Sequence, residues 1–104
     1  MRFKDLKVGQ TIKDRLYCGQ GDYDYETTYK ILAIDKSKRK AKIQEIACIM
    51  NTYQGLRVKI ECEIDPNPVW CEVNSSFYSD YGFDVIYSDE RHFHIALLDD
   101  CIIK

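Results

Sequence analysis

Residues 27–50 read TTYKILAID, KSKRK and AKIQEIACIM in succession, and the fold depends on what the last of these segments forms. The first segment is rich in Thr, Tyr and Ile and has apolar residues on both faces, which indicates a central or strongly bent strand. The polar run after Asp35 is typical of a hairpin connection. Apolar side chains at helical spacing follow, namely Ile43, Ile46, Ala47 and Met50. A strand is favoured over that helix, because the lysines of residues 36–42 would crowd the positive end of a helix dipole.

A second clear pattern occupies residues 56–64, LRVKIECEI, where apolar and charged residues alternate over nine positions. Period two predicts a strand whose apolar row, including Val58, Ile60 and Cys62, is buried while the charged row faces water. The strand should end at the prolines that follow, because a proline cannot donate a hydrogen bond to a ladder.

Weaker patterns predict the other strands, at residues 10–18, 69–73, 84–87 and 92–98, and the sequence allows a short helix at 75–81. Six or seven short strands with at most one or two short helices indicate a mainly β fold. We therefore expect residues 1–104 to form one domain, a small antiparallel β-barrel or a strongly twisted half-barrel.

The segment DLKVGQ at residues 5–10, with Asp35-Lys36-Ser37 at the later hairpin, resembles the opening of some OB-type and SH3-like barrels. The resemblance implies a barrel of that size. It consists of common turn chemistry and transfers no functional residues to this chain.

The charges are sorted along the chain. Residues 1–60 carry 13 Lys and Arg against 7 Asp and Glu, a balance of +6, whereas residues 61–104 carry 2 against 10, a balance of −8. The two balances sum to the formal net charge of −2. This asymmetry bears on charged partners and on solubility rather than on the fold.

Tyrosines and acids alternate in two stretches, residues 22–26 and 78–84, which we expect to be loops. Tyrosine rings bury area at low entropy cost and carboxylates steer association, so the pattern favours a protein partner with a basic surface. The candidate partner-binding residues are Tyr23, Asp24, Tyr25, Trp70, Tyr78, Asp80, Tyr81 and Asp84. One version is an inhibitor that blocks the basic groove of a nucleic-acid enzyme. The alternative is that the tyrosines anchor loops and the acids only solvate them.

Trp70 lies on the opposite side of its strand from the apolar row of residues 69–73. If that apolar row belongs to the core, Trp70 stands on the outer surface. We expect Phe3, Leu6 or the apolar tail at 101–103 to cover it. An uncovered tryptophan would instead be a binding hot spot.

A basic run suggests an alternative function, nucleic-acid binding, through five cations at a hairpin tip: Lys36, Lys38, Arg39, Lys40 and Lys42. Such a tip can contact phosphates without recognising a base sequence. We favour a solvated turn whose lysines prevent edge pairing, because an isoelectric point of about 5.6 is unlike that of a dedicated nucleic-acid binder. Self-association of the +6 half of one copy with the −8 half of another is a third hypothesis.

The sequence does not favour an enzyme, since it has no phosphate loop, dinucleotide fingerprint or hydrolase motif. A zinc site could use His92, His94, Cys62 and Cys71. Both cysteines lie in rows assigned to the core, so we predict no metal and no cofactor. The lack of a secretory signal or a long apolar run predicts a cytoplasmic protein without a membrane segment, whose five cysteines stay reduced.

Overall fold

A long β-hairpin forms the spine of the computed structural model, which describes residues 1–18, 22–53, 55, 58–74, 83–91, 93–98 and 102–103. Its strands, β2 (Tyr23–Asp35) and β3 (Lys40–Thr52), pair along their whole length. Thirteen residues at about 3.3 Å each span about 43 Å, which accounts for most of the longest dimension of 48 Å. The prediction of a strand at residues 40–50 is confirmed.

The hairpin turn at residues 36–39 is shaped by Asp35. The Asp35 Oδ1 atom accepts a hydrogen bond of 2.7 Å from Ser37 Oγ and one of 3.1 Å from the Lys38 N–H. A side chain that bonds the backbone ahead of it in this way stabilises a turn. Arg39 then adopts a left-handed backbone conformation, with φ of 52°, before β3 begins. The predicted hairpin connection is therefore confirmed.

Among the described residues, six further strands complete one antiparallel sheet: β1 (Thr11–Cys18), β4 (Val58–Glu61), β5 (Val69–Asn74), β6 (Val85–Ser88), β7 (Phe93–Ala96) and β8 (Ile102–Ile103). The order across the sheet is β7-β6-β5-β3-β2-β1-β8, and β4 pairs with β3 off this path. A 3-10 turn, Phe3–Asp5, precedes β1. The predicted small, mainly β, curled half-barrel is confirmed. Within the described part of the chain, no helix has the length and hydropathy needed to cross a membrane.

Strand β3 has two partners on one edge. Its residues 40–43 pair with β5, and its residues 49–52 pair with β4. The connection from β4 to β5 runs beside the middle of β3, where Gln44 Nε2 donates a 2.9 Å hydrogen bond to the Pro66 carbonyl. The sheet is thereby divided into two parts. One is a curled half, which continues through β5, β6 and β7. The other, which we call the arm, consists of β4 and the parts of β1, β2 and β3 at residues 14–18, 23–27 and 48–52.

The curled half encloses the hydrophobic core. The rings of Tyr29 on β2 and Phe93 on β7 lie 5.5 Å apart across it, which shows how far the sheet curls. The largest fully buried side chains include Ile12, Ile31, Ile43, Ile86, Ile95 and Leu97. The apolar row of β5 is buried as predicted. Two register shifts between β2 and β3 leave Leu32 and Ile46 unpaired, and such bulges bend the spine around the core.

The arm corrects the prediction for residues 56–64. Strand β4 forms there, but Val58 and Ile60 are 46% and 44% exposed instead of buried, and Cys62 is half-buried outside the core. The alternation identifies a strand correctly and its burial wrongly. The reason is that the strands that curl over the sheet pair with the other half of β3, so they do not cover these side chains.

Asp84 ties the N-terminal segment and the hairpin turn to the curled strands. Its buried carboxylate accepts a 2.8 Å hydrogen bond from the Phe3 N–H and lies 3.4 Å from Arg39 Nη2 and 3.7 Å from Arg2 Nη1. Arg39 also donates to the Val73 carbonyl and places its guanidinium 5.1 Å from the Phe3 ring centre. Placing Asp84 in an exposed docking loop was therefore wrong, because this acid is 2% exposed and its charge is balanced inside the fold.

We expect Asp84→Asn to lower the free energy of unfolding by about 2 kcal/mol, because it weakens a buried charge-assisted hydrogen bond and two ion pairs to partly exposed arginines. Urea unfolding followed by circular dichroism measures the change. Glu90→Gln removes the same charge at an exposed position and should alter stability by less than about 0.5 kcal/mol. Equal stability of the two variants would contradict the role assigned to Asp84.

Candidate functional site

The arm presents an apolar face that continues the core side of the sheet. Directly opposed residues of antiparallel strands share a face, so the register that opposes Leu16 to Tyr25, and Tyr25 to Met50, puts all three on one side. The same register places Tyr23 of β2, and Val58 and Ile60 of β4, on this side. The arm face therefore consists of Leu16, Tyr23, Tyr25, Met50, Val58 and Ile60.

Side chains of the arm face reach solvent. Leu16 is 59% exposed, the two β4 residues are exposed, and Tyr23, Tyr25 and Met50 are half-buried. The two tyrosine rings pack edge to face with their centroids 5.8 Å apart, which restricts both rings. An exposed apolar face with ordered tyrosines is typical of a surface that binds another protein.

Exposed carboxylates lie at the end of β4, in the chain that follows it, and in the turn between β6 and β7. This acidic edge consists of Glu61, Glu63, Asp65, Asp89 and Glu90. Arg91 joins the two segments that carry them, because its Nη2 lies 3.2 Å from Asp65 Oδ2 and its guanidinium donates to the carbonyls of Asp65 and Asn67. Among the residues that the structure describes, Arg91 is the only cation that forms an ion pair with these acids. The other four carboxylates have no cation of the described residues as an ion-pair partner.

Asp24 lies between two tyrosines of the arm face in sequence but on the opposite face of β2. It is buried, and it accepts hydrogen bonds of 2.7 Å from Asn51 Nδ2 and 2.8 Å from Tyr53 Oη. These two hydrogen bonds hold the pKa of Asp24 below its ordinary value. The prediction of a loop at residues 22–26 was wrong from residue 23 onwards, because those residues belong to β2 and Asp24 is a structural acid.

Trp70 is 47% exposed on the outer face of the sheet, directly opposite Lys42. The expectation that Phe3 or Leu6 covers it was wrong, since both of these side chains are buried in the core. Strand β8, in the apolar tail, pairs with β1. Trp70 is thus available for contact, but it lies on the opposite side of the sheet from the tyrosines of the arm face.

The five cations of the basic run do not act as one group. Lys36 and Lys38 are exposed in the hairpin turn, whereas Arg39 is held in the ion pair described above. Lys40 and Lys42 are half-buried on β3. Two exposed lysines therefore remain at the tip, fewer than the run of residues 36–42 suggests.

Several residues singled out from the sequence lie outside the described part of the chain. Outside the described residues lie the helix considered at 75–81, His92, and three predicted contact residues, Tyr78, Asp80 and Tyr81. His94 is exposed, and its ring lies 4.8 Å from that of Tyr87. In the part of the chain that is described, no three His, Cys, Asp or Glu side chains are grouped to hold a metal ion.

Polar side chains mark the boundary between the arm and the core. Asp14 and Thr27 are directly opposed there, and Thr27 Oγ1 contacts Cys48 Sγ at 3.6 Å. Burial raises the pKa of Asp14, although the hydrogen bond from the Arg15 backbone opposes the rise. Folding therefore disfavours the charged form of Asp14. Burial also raises the pKa of the neighbouring Tyr29.

The sequence pattern did not identify the arm face or the acidic edge as units. Acids at every second position, 61, 63 and 65, are a visible signal, but period two indicates only the wet side of a strand that ends in a turn. Leu16 gave no signal, because a single leucine in a predicted strand is ordinary. Asp89 and Glu90 join the edge only through the contacts of Arg91, which sequence does not show.

Asp24→Asn should lower the melting temperature at about pH 7, because the lowered pKa of Asp24 means that folding stabilises its charged form. That stability is present above the ordinary carboxyl pKa of about 4 and is lost as the pH falls through the lowered folded value. The gap between wild type and variant should therefore narrow from about pH 5 to about pH 2. Thermal melting followed by circular dichroism measures it, and a gap that stays constant with pH would refute the assignment.

Asp14→Asn should instead raise the melting temperature at about pH 7, because it removes a carboxylate whose charged form is disfavoured by burial. The cost is absent below the ordinary pKa and is complete above the raised folded value, so the two proteins should melt together at about pH 3. The same melting series tests this. A variant that is less stable than wild type at neutral pH would show that the Asp14 carboxylate is stabilised by folding after all.

No protein-family model, no curated protein and no solved structure matches this chain. Glu61 is the last residue of β4, so the acidic edge begins on the strand that carries Val58 and Ile60, with Glu61 on the other face.

Proposed function

We propose that the protein is a non-enzymatic interaction module, acting as an adaptor, regulator or inhibitor, that binds a protein partner with a basic surface. The observation that carries the proposal is the position of the acidic edge beside the arm face. Strand β4 contributes Val58 and Ile60 to that face and ends at Glu61, the first acid of the edge. By strand alternation Glu61 lies on the opposite face of β4 from these two residues, so apolar contact and negative charge meet along one strand.

The arm face supplies contact area. Two ordered tyrosine rings bury a large area at a small entropy cost, and the exposed Leu16, Val58 and Ile60 add aliphatic surface around them. The face of a sheet is broad, whereas sites for small molecules are concave and enclose most of the ligand. This shape favours a protein surface as the ligand.

The acidic edge selects the charge of the partner. Carboxylates at the rim of an interface speed association with a basic surface and disfavour acidic ones. The balance of −8 over residues 61–104 adds to the same effect. A basic groove of a nucleic-acid enzyme is one surface of this kind, and blocking it is the most specific version of the proposal.

Tagged protein should capture the partner from an extract of its host, and calorimetry with the purified partner then measures the affinity. We expect Leu16→Thr combined with Ile60→Thr to weaken binding at least about tenfold, or about 1.4 kcal/mol. Threonine keeps a high strand propensity while removing apolar contact. Val8→Thr is the matched control, because Val8 is 62% exposed outside the arm, and it should bind like the wild type.

The electrostatic part of the same experiment uses Glu61→Gln with Glu63→Gln, which should slow association and weaken its dependence on salt. Glu72→Gln is the charge-matched control, because Glu72 is an exposed acid on β5, where it opposes Lys40 of β3. Affinity that is unchanged by both the arm and the edge variants would sink the proposal. Nucleic acid in the captured material, lost with Lys36→Gln and Lys38→Gln, would favour the basic tip instead.

A further inference from the structure

Cys48 and Cys62 face each other across the pairing of β3 with β4. The register that opposes Ile49 to Glu61 continues by one residue to these cysteines, and the Cys62 N–H donates a 2.9 Å hydrogen bond to the Cys48 carbonyl. Opposed residues of antiparallel strands have Cα atoms about 4.5 to 5.5 Å apart, inside the range that a disulfide spans. The Cys62 thiol donates to the Ile60 carbonyl at 3.7 Å, and burial together with the nearby Cys62 thiol raises the pKa of Cys48.

We propose that Cys48 and Cys62 are an oxidation site, where a small-molecule disulfide converts the two thiols into an intrachain disulfide bond. Both cysteines are free and half-buried, so a reagent can reach them from the surface of the arm. Cys71, in contrast, is 1% exposed in the core. The adjoining cleft between β3 and the chain after β4 is lined by these two cysteines and by aliphatic side chains such as Ile46 and Ile64.

The chemistry balances with oxidised glutathione as the oxidant. One cysteine loses its proton to solvent, and its thiolate attacks a glutathione sulfur, which breaks the glutathione S–S bond and releases one glutathione thiolate. The thiolate of the second cysteine then attacks the sulfur of the first and displaces the remaining glutathione. The protein loses two protons and two electrons, and two molecules of reduced glutathione are formed.

The reduced pair is stable until such an oxidant arrives. Burial raises the pKa of Cys48, and Thr27 Oγ1 contacts its sulfur at 3.6 Å. A protonated thiol is a poor nucleophile, so the raised pKa disfavours Cys48 as the thiol that attacks the oxidant first. In a reducing compartment the pair therefore remains a dithiol, and oxidation marks a change in conditions.

The bond would act on β4, whose four residues are all exposed. At one end of the strand, Thr52 Oγ1 donates to the Val58 carbonyl and accepts from the Val58 N–H. The cysteines lie at the other end, just beyond Glu61. A covalent link there would secure both ends of the strand and reduce its local opening.

The test treats the intact chain with oxidised glutathione, then alkylates the free thiols and digests with trypsin and a glutamate-specific protease. Cleavage after Glu63 separates Cys62 from Cys71. We expect a linked pair of peptides that contain Cys48 and Cys62, the loss of two alkylatable thiols, and amide hydrogen exchange in β4 that is at least about tenfold slower. Exchange in β5 should not change.

Cys48→Ser is the matched control, and it should give neither the linked peptides nor the slower exchange, with its melting temperature in reducing buffer confirming that it folds. Cys62→Ser should behave in the same way. Linkage of a different cysteine pair, a stable glutathione adduct on either residue, or no loss of thiols would overturn the proposal. Because every readout is chemical, the result does not depend on the partner proposed above.

Discussion

Strand β3 offers a single edge to two strands, and the rest of the structure depends on how that edge is divided. Each residue of an edge can pair with only one neighbouring strand. Residues 40–43 are taken by β5, which continues into β6 and β7 and curls the sheet around the core. Residues 49–52 are taken by β4, whose chain then turns along β3 toward β5. The arm, its exposed apolar face and the pair of opposed cysteines all follow from that division.

Two buried carboxylates fix the two halves of this arrangement. A carboxylate that leaves water must be compensated by hydrogen bonds or by opposite charge. Asp84 receives both, from a backbone N–H and two arginines, and it connects segments that are distant in sequence. Asp24 is compensated by neutral donors of β3 and the residue after it, within the arm. The tyrosine-acid stretches therefore contribute structural acids to the interior, and the tyrosines of residues 23–25 are what reaches the arm face.

The positions of the strands were predictable from sequence, but the sides that are covered were not. Alternation in β5 and β4 looks alike, yet the apolar row of β5 is buried and that of β4 is exposed. Burial depends on which distant strands lie over a given face, and a local pattern carries no information on that. The opposition of Cys48 and Cys62 is hidden for the same reason, because it requires the register between two strands. For Trp70, alternation predicts the outward position correctly. The prediction that other side chains cover it is wrong, because such cover depends on distant segments.

The division of β3 also determines how much of the charge asymmetry along the sequence persists on the folded surface. Where strands pair, opposite charges meet, as Arg15 does with Glu26, and this part of the asymmetry is neutralised. Glu61 and Glu63 form no ion pair with any cation of the described residues, whereas Asp65 pairs with Arg91. The segment of residues 61–65 begins where the arm face ends. Detaching β4 would therefore disrupt the apolar row and the start of the acidic edge together.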